Sequence, residues 1–251
     1  MKFFTKENSR LAALIHGDPN EVHLNQRFGK TIAPGLMQLQ GFIALAGWKE
    51  DTVFDVDLTS SIVVPSDAEY YYSTSSGYSI KNANNTFAKA KIRTETKFNI
   101  QECSQSYKYR LTKENINPEC LDWRNYNSIP VELVREIVPS TDARTLERIS
   151  CVGVAANALV RYLVDNPSFH EEMFFPQARE DGKYAVLEEK LVLHMGESNG
   201  ELSEITLGIA PERQIDDKTF VASIQELNGL YTLDIYLKKI PKRVFERLLR
   251  A

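Results

Sequence analysis

From Thr86 to Phe98 the chain reads TFAKAKIRTETKF, and from Ala88 onward two kinds of residue alternate without a break. Ala88, Ala90, Ile92, Thr94, Thr96 and Phe98 take one side; Lys89, Lys91, Arg93, Glu95 and Lys97 take the other. A period of two with one dry and one wet face is the pattern of an antiparallel strand covered on a single face. Strands of a buried parallel sheet read instead as unbroken apolar runs. Such a sheet needs an apolar partner, and PGLMQLQGFIALAG, Pro34 to Gly47, supplies one. It is apolar around most of its circumference and carries Pro where a first helical turn favours it, so it is expected to be a buried helix. It is too short to cross a bilayer.

The remaining segments fall into place around this pair. Thr5 as N-cap, Leu11, Leu14 and Ile15 at helical spacing, and Gly17 with Pro19 as a stop predict a short amphipathic helix over residues 5–16. Phe54, Val56 and Leu58 alternate with Asp55, Asp57 and Thr59, and extended chain continues from Ile62 to Val64. Asn84-Asn85 marks a hairpin turn, making residues 69–98 antiparallel strands. Residues 99–138 are polar, contain Pro118 and Pro130, and lack sustained periodicity before Val131, which reads as a linker with local helix. The order then recurs. A helix is expected at 142–165, and strands at 184–195, 201–210, 219–227 and 230–239. Turns are expected at Glu197-Ser198-Asn199-Gly200 and Asn228-Gly229.

Charge and cysteine content narrow the partners. The net charge is −4 and the basic residues are scattered, so no electrostatic footprint for nucleic acid or an anionic membrane is present. Small molecules or proteins are the expected partners. Cys103, Cys120 and Cys151 have neither CxxC spacing nor an even count, which fits a reducing compartment. A charged Lys6-Glu7 pair stands where a leader would be apolar, so the expected location is cytoplasmic.

The segment GDPNEVH, Gly17 to His23, follows the first helix and leads through Ile32 to Pro34-Gly35 at the start of the buried helix. This ordered set, Gly-Asp-x-Asn-x-x-His and then Ile-x-x-Gly, resembles the signature of the MaoC-like (R)-specific hydratases and dehydratases of acyl thioesters. Residues 4–35 carry the motif; from there to about residue 98 the likeness is one of architecture. The resemblance implies an α+β fold, a double hot-dog of two modules, each a long helix wrapped by an antiparallel sheet. Residues 1–100 would hold the catalytic module, 101–138 the linker, and 139–251 a degenerate second module. It also implies a hydro-lyase that hydrates trans-2-enoyl thioesters, or dehydrates (R)-3-hydroxyacyl thioesters, on coenzyme A or acyl carrier protein. Asp18 and His23 would be the catalytic pair, acting on one water. Gly35, Asn20 and Leu36 would face the substrate, with the Gly35 N–H at a helix N-terminus donating to the thioester oxygen. No metal or redox cofactor is implied, and an exposed sheet edge is compatible with a homodimer.

Several family positions differ. Glu21, Asn25 and Pro34 stand where the family has Pro, Asp and His, and Ile43 replaces a hydroxyl residue in the buried helix. Such supporting residues set the orientation and pKa of a catalytic pair, so thioester hydrolysis and non-catalytic acyl binding stay open as alternatives. Each motif residue also has an ordinary reading, since Asp-Pro-Asn is a common turn and a lone His in a loop is usually a surface or capping group. His16 is expected to interact with the carbonyls ending the first helix, and His170 and His194 have no metal-ligand companions at helical spacing. Tyr70-Tyr71-Tyr72 reads as sheet packing. The basic face of Lys89, Lys91, Arg93 and Lys97 reads as a solvated strand, with the phosphates of coenzyme A or an acidic carrier protein as its alternative partner.

Overall fold

A computed structural model describes residues 4–18, 20–24, 31–58, 63–64, 71–73, 77–95, 101–166, 182–197 and 202–250. Helix α1 (Lys6–Ile15) begins where Thr5 accepts the Asn8 N–H on its side chain at 3.0 Å, and ends before Gly17, whose φ of 62° turns the chain away. A single turn, α2 (Glu21–Leu24), and the short strand β1 (Thr31–Ile32) lead into α3 (Gly35–Ala46). Every residue of α3 from Gly35 to Ala44 is buried, as its all-round apolar pattern predicts.

The strands are β2 (Thr52–Asp57), β3 (Val63–Val64), β4 (Tyr71–Ser73), β5 (Tyr78–Lys81), β6 (Thr86–Thr94), β7 (Gln105–Thr112), β8 (Ser128–Pro130), β9 (Tyr184–Met195), β10 (Glu204–Ile209), β11 (Arg213–Gln214), β12 (Thr219–Glu226) and β13 (Tyr231–Pro241). β1 pairs with β3; the others form one large sheet in the order β4-β5-β6-β2-β9-β13-β12-β10-β7-β8, with β11 beside β12. All its pairings are antiparallel except β7 with β8. Strands from the two halves of the chain meet where β2 pairs with β9, from Thr52 opposite Met195 to Asp57 opposite Lys190. The fold is therefore α+β, with a central buried helix and a large antiparallel sheet.

Helices α4 (Val131–Ile137), α5 (Ala143–Gly153) and α6 (Ala155–Asp165) complete the covered face, with α5 packed on α3 and α6 on β7, β10 and β12. The C-terminal helix Lys242–Arg250 folds back on β9 and β13. No helix among the described residues is long and apolar enough to cross a membrane.

Three local expectations change. Residues 105–112, read as part of a linker, form β7, which pairs with β10 along its length; Tyr107 and Tyr109 face the core while Ser106, Lys108 and Arg110 face solvent. The helix expected over 142–165 breaks at Val154 into α5 and α6. A methyl at Gly153 would lie 2.7 Å from His16 Cδ2 and collide with Gln40, so glycine beside the break lets two buried side chains approach the backbone. The dry face of β6 fades after Ala90, leaving Ile92 40% exposed, because β5 pairs with β6 only as far as Ala90. The hairpins form as expected. Asn82 organises the β5–β6 turn by accepting the N–H groups of Asn84 and Asn85, and Gly229 turns β12 into β13 with φ 89°. Residues 198–200 of the other expected turn lie outside the described residues.

Candidate active site

The loop after α1 is shaped by its own side chains. Asp18 Oδ1 accepts the Asn20 N–H at 3.0 Å and Asn20 Oδ1 accepts the Val22 N–H at 3.3 Å, two successive turns that start α2 and set His23 one turn along. His23 then faces back toward Asp18, its Nε2 3.3 Å from Asp18 Oδ2. Its Nδ1 donates to the Ile32 carbonyl at 2.6 Å, which fixes the ring. The two side chains are 12% and 16% exposed, dry enough to strengthen their interaction and open enough for a water to reach them.

Burial disfavours charge on both groups, yet each holds the other charged. For Asp18, burial pushes the carboxyl up, and the charge and hydrogen bond of His23, with the Asn20 N–H, outweigh it and leave the carboxyl below its usual range. For His23, burial pulls the imidazole down, and Asp18, the Ile32 carbonyl and Glu188 outweigh it and leave the imidazole above its usual range. The pair is therefore a carboxylate against an imidazole held toward its charged form, one proton acceptor beside one proton donor.

The second half of the chain holds this loop in place. Asn157 of α6, fully buried, donates through Nδ2 to the carbonyls of Gly17 at 3.0 Å and Trp123 at 2.8 Å, and accepts the Tyr109 hydroxyl at 3.1 Å. A methyl at Gly17 would sit 2.7 Å from that Nδ2, so both the positive φ and the close approach require glycine. The Tyr126 hydroxyl donates to the Ile15 carbonyl. His16 is buried, its Nε2 2.8 Å from Gln40 Oε1, while Gln40 Nε2 donates to the Ile149 carbonyl at 2.7 Å. His16 thus ties α1 to α3 and α5 instead of closing its own helix with its side chain. Burial pulls its pKa down to about 4, so it is neutral.

Gly35 opens α3, but its N–H is engaged: it hydrogen-bonds the carboxyl of Glu188, a residue the sequence analysis did not single out. The N-cap, Pro34, offers no side-chain acceptor, so Glu188 caps α3 from across the sheet. It reaches there through a β-bulge. Tyr236 pairs with Lys190 and Leu237 with Glu188, leaving Glu189 as the extra residue. Leu233, Ile235 and Leu237 point to the helix side, and the skipped residue turns Glu188 to that side, where strict alternation would place it outward with Lys190. The visible signal was the run Glu188-Glu189-Lys190, three charges in succession inside a strand otherwise mostly apolar. Burial pushes the Glu188 carboxyl up, His23 opposes this, Asp18 adds to it, and the balance lies at about 7.

The other expected residues separate clearly. Leu36 and Ile43 are core side chains, 1% and 0% exposed. Tyr72 packs between Phe4 and Phe42 and donates its hydroxyl to the carbonyls of Met37 and Gln38 at 3.3 Å, a packing role as expected; Tyr70 lies outside the described residues. His194 is half-buried in β9 opposite Val53 and Thr232. Lys89, Lys91 and Arg93 are exposed, the two lysines opposite Asp57 and Asp55 of β2. His170, Asn25 and Lys97 lie outside the described residues.

No family model matches the chain, and no curated protein matches it. Solved structures similar to it include a MaoC-like dehydratase from Phytophthora capsici, 8% identical at a TM-score of 0.49 over 94% of this chain and 93% of that one. The dehydratase domain from the CurF module of curacin polyketide synthase is 15% identical at a TM-score of 0.43, over 86% of each chain. The dehydratase domain of the polyketide PpsC from Mycobacterium tuberculosis is 10% identical at a TM-score of 0.39, over 86% of this chain and 87% of that one. At these identities and TM-scores the functional reading rests on the geometry of Asp18, His23, Gly35 and Glu188.

Proposed function

We propose that the protein hydrates trans-2-enoyl thioesters and, in reverse, dehydrates (R)-3-hydroxyacyl thioesters, with coenzyme A or acyl carrier protein as the carrier. The observation that carries this reading is the 3.3 Å contact between Asp18 and His23 in a mostly dry loop. A carboxylate and an imidazole in direct contact can grip one water together from the same side. Asp18 takes a proton as the water oxygen bonds to C3, and the pair returns a proton to C2 through His23. The adjacent contact of the two groups lets the pair reset by one further proton transfer.

On this reading the chain is a double hot-dog, residues 1–100 and 139–251, with the segment 101–138 between them adding β7 beside β10 of the second part. Helix α3 on one part of the sheet and α5–α6 on the other, with β2 beside β9 between them, support that division. The catalytic motif belongs to the first module, and Asn157 and Glu188 of the second complete the site.

The experiment is hydration of crotonyl-coenzyme A followed by loss of enoyl absorbance, with analysis of product stereochemistry. Formation of the (R)-3-hydroxy product, lost in Asp18→Asn and His23→Ala, supports the reading; no turnover with coenzyme A or carrier-protein substrates overturns it. Glu188 favours one second reading, thioester hydrolysis, in which an acidic residue delivers water to the carbonyl carbon. Release of free thiol from saturated acyl thioesters, lost in Glu188→Ala and retained in His23→Ala, would select it.

A further inference from the structure

The Gly35 N–H, which would meet the thioester oxygen, already has an acceptor, and that acceptor is a carboxyl group. On the footing of the enoyl-thioester reading, we propose that Glu188 is the third functional group of the site. It accepts the Gly35 N–H on one oxygen and, as a carboxylic acid, donates its O–H to the thioester carbonyl oxygen as negative charge develops there.

The geometry of the strand comes first. β9 carries a bulge at Glu189, and its effect is to turn Glu188 from the outer face of the sheet to the N-terminus of α3. Bulges beside sites re-aim side chains in this way. The contact is close: a methyl on Gly35 would collide with Glu188 Oε2 and lie 3.0 Å from its Cδ. Glycine at position 35 is what admits the carboxyl.

Charge then separates a functional acid from a simple helix cap. The groups facing Glu188 are the Gly35 N–H of α3, His23 of α2 and Asp18 of the preceding loop; Leu237 lies opposite on β13, and the neighbouring Lys238 is engaged by Glu189. An ionised Glu188 would put two carboxylates against one imidazole in a dry site. A protonated Glu188 leaves Asp18 and His23 balanced. A helix N-terminus ordinarily favours a carboxylate. Here burial and Asp18 overcome that preference and hold the group close to the point of half-protonation at neutral pH. A carboxylic acid kept neutral by its surroundings is a strong donor toward a developing enolate oxygen, and the Gly35 N–H behind it strengthens the donation.

The proton account closes without consuming Glu188. The water oxygen bonds to C3 and its proton goes to Asp18, while the C2–C3 π electrons shift so that negative charge gathers on the thioester oxygen beside the Glu188 O–H. C2 then takes a proton from the Asp18–His23 pair, and the carbonyl reforms. Glu188 keeps its proton throughout, and its ionised form would repel the charge it is there to receive.

The test is crotonyl-coenzyme A hydration from pH 5 to 9 by wild type, Glu188→Gln, Glu188→Ala and Asp18→Asn, with thermal melts of each. Wild-type kcat should fall on the alkaline side with a midpoint at about 7. Glu188→Gln, which retains an N–H donor, should lose less than about tenfold and lose the fall centred at about 7, keeping only the fall that His23 sets. Glu188→Ala should lose about 10²–10³-fold in kcat with little change in KM. Glu188→Ala as active as wild type, or an alkaline fall with the same midpoint in Glu188→Gln as in wild type, overturns the proposal and leaves Glu188 a helix cap or a plug. If those results accompany wild-type turnover that Asp18→Asn abolishes, the hydratase reading stands without it. Absence of wild-type turnover removes both.

Discussion

Asn157 on α6 donates to the Gly17 carbonyl at 3.0 Å, so a fully buried side chain from the second half of the chain fixes the residue next to Asp18. Its other partners are the Trp123 carbonyl and the Tyr109 hydroxyl. Asn157→Ala removes a hydrogen-bond partner from all three groups, and we expect it to cost roughly 2–4 kcal/mol. Chemical denaturation should show this as a lower midpoint, and kcat should fall as well because the loop bearing Asp18 loses its anchor. Normal activity in the folded fraction would show that the anchor is purely structural.

Asp18→Asn and His23→Ala remove the acceptor and the donor of the pair. Each should lower kcat for enoyl-thioester hydration by about 10²–10⁴-fold, with a much smaller change in KM. The double variant should be little worse than either single one, since the two groups act on the same water. Additive losses would mean that they act in separate steps.

Gly35→Ala drives a methyl into Glu188 Oε2 at the start of a helix buried along Gly35–Ala44, which leaves the helix no room to retreat. A lower melting temperature and at least about a 10²-fold loss of kcat/KM are expected. Adding Glu188→Ala relieves the collision. The double variant should melt higher than Gly35→Ala alone, a coupling that a double-mutant cycle measures.

His16 and Glu188 give stability opposite dependences on pH. The folded pKa of His16 is lowered from 6.5 to about 4, so across that window the unfolded chain binds more protons and stability is lost as pH falls. The folded pKa of Glu188 is raised from 4.5 to about 7, so the folded chain binds more protons and stability is lost as pH rises. Between pH 5 and 6.5 the two slopes oppose each other. Denaturation midpoints should therefore fall with rising pH in His16→Gln and rise with it in Glu188→Gln; parallel profiles in the two variants would refute the assignment. His23, whose pKa is raised, contributes stability that is present below 6.5 and lost above its folded value, outside that comparison.

The residues that contact one another locally were legible in the sequence, because periodicity, caps and turns are short-range physics. Thr5, Gly17 and Gly229 start or end elements where their chemistry requires, the all-round apolar run became the buried α3, and the spacing of Gly17, Asp18, Asn20 and His23 placed a carboxylate beside an imidazole within one loop. What the tertiary structure decided lies across the join between the halves. Glu188 sits more than 150 positions from Gly35, and only the bulge opposite Tyr236 and Leu237 turns it toward α3, whereas period two alone assigns it to the other face. Asn157 and the break at Val154 were hidden in a helical pattern that continues unbroken through both. The expected open N–H at Gly35 was likewise a local inference, and an acceptor from a distant strand changed it, because a buried helix end takes whichever polar group the fold brings within reach.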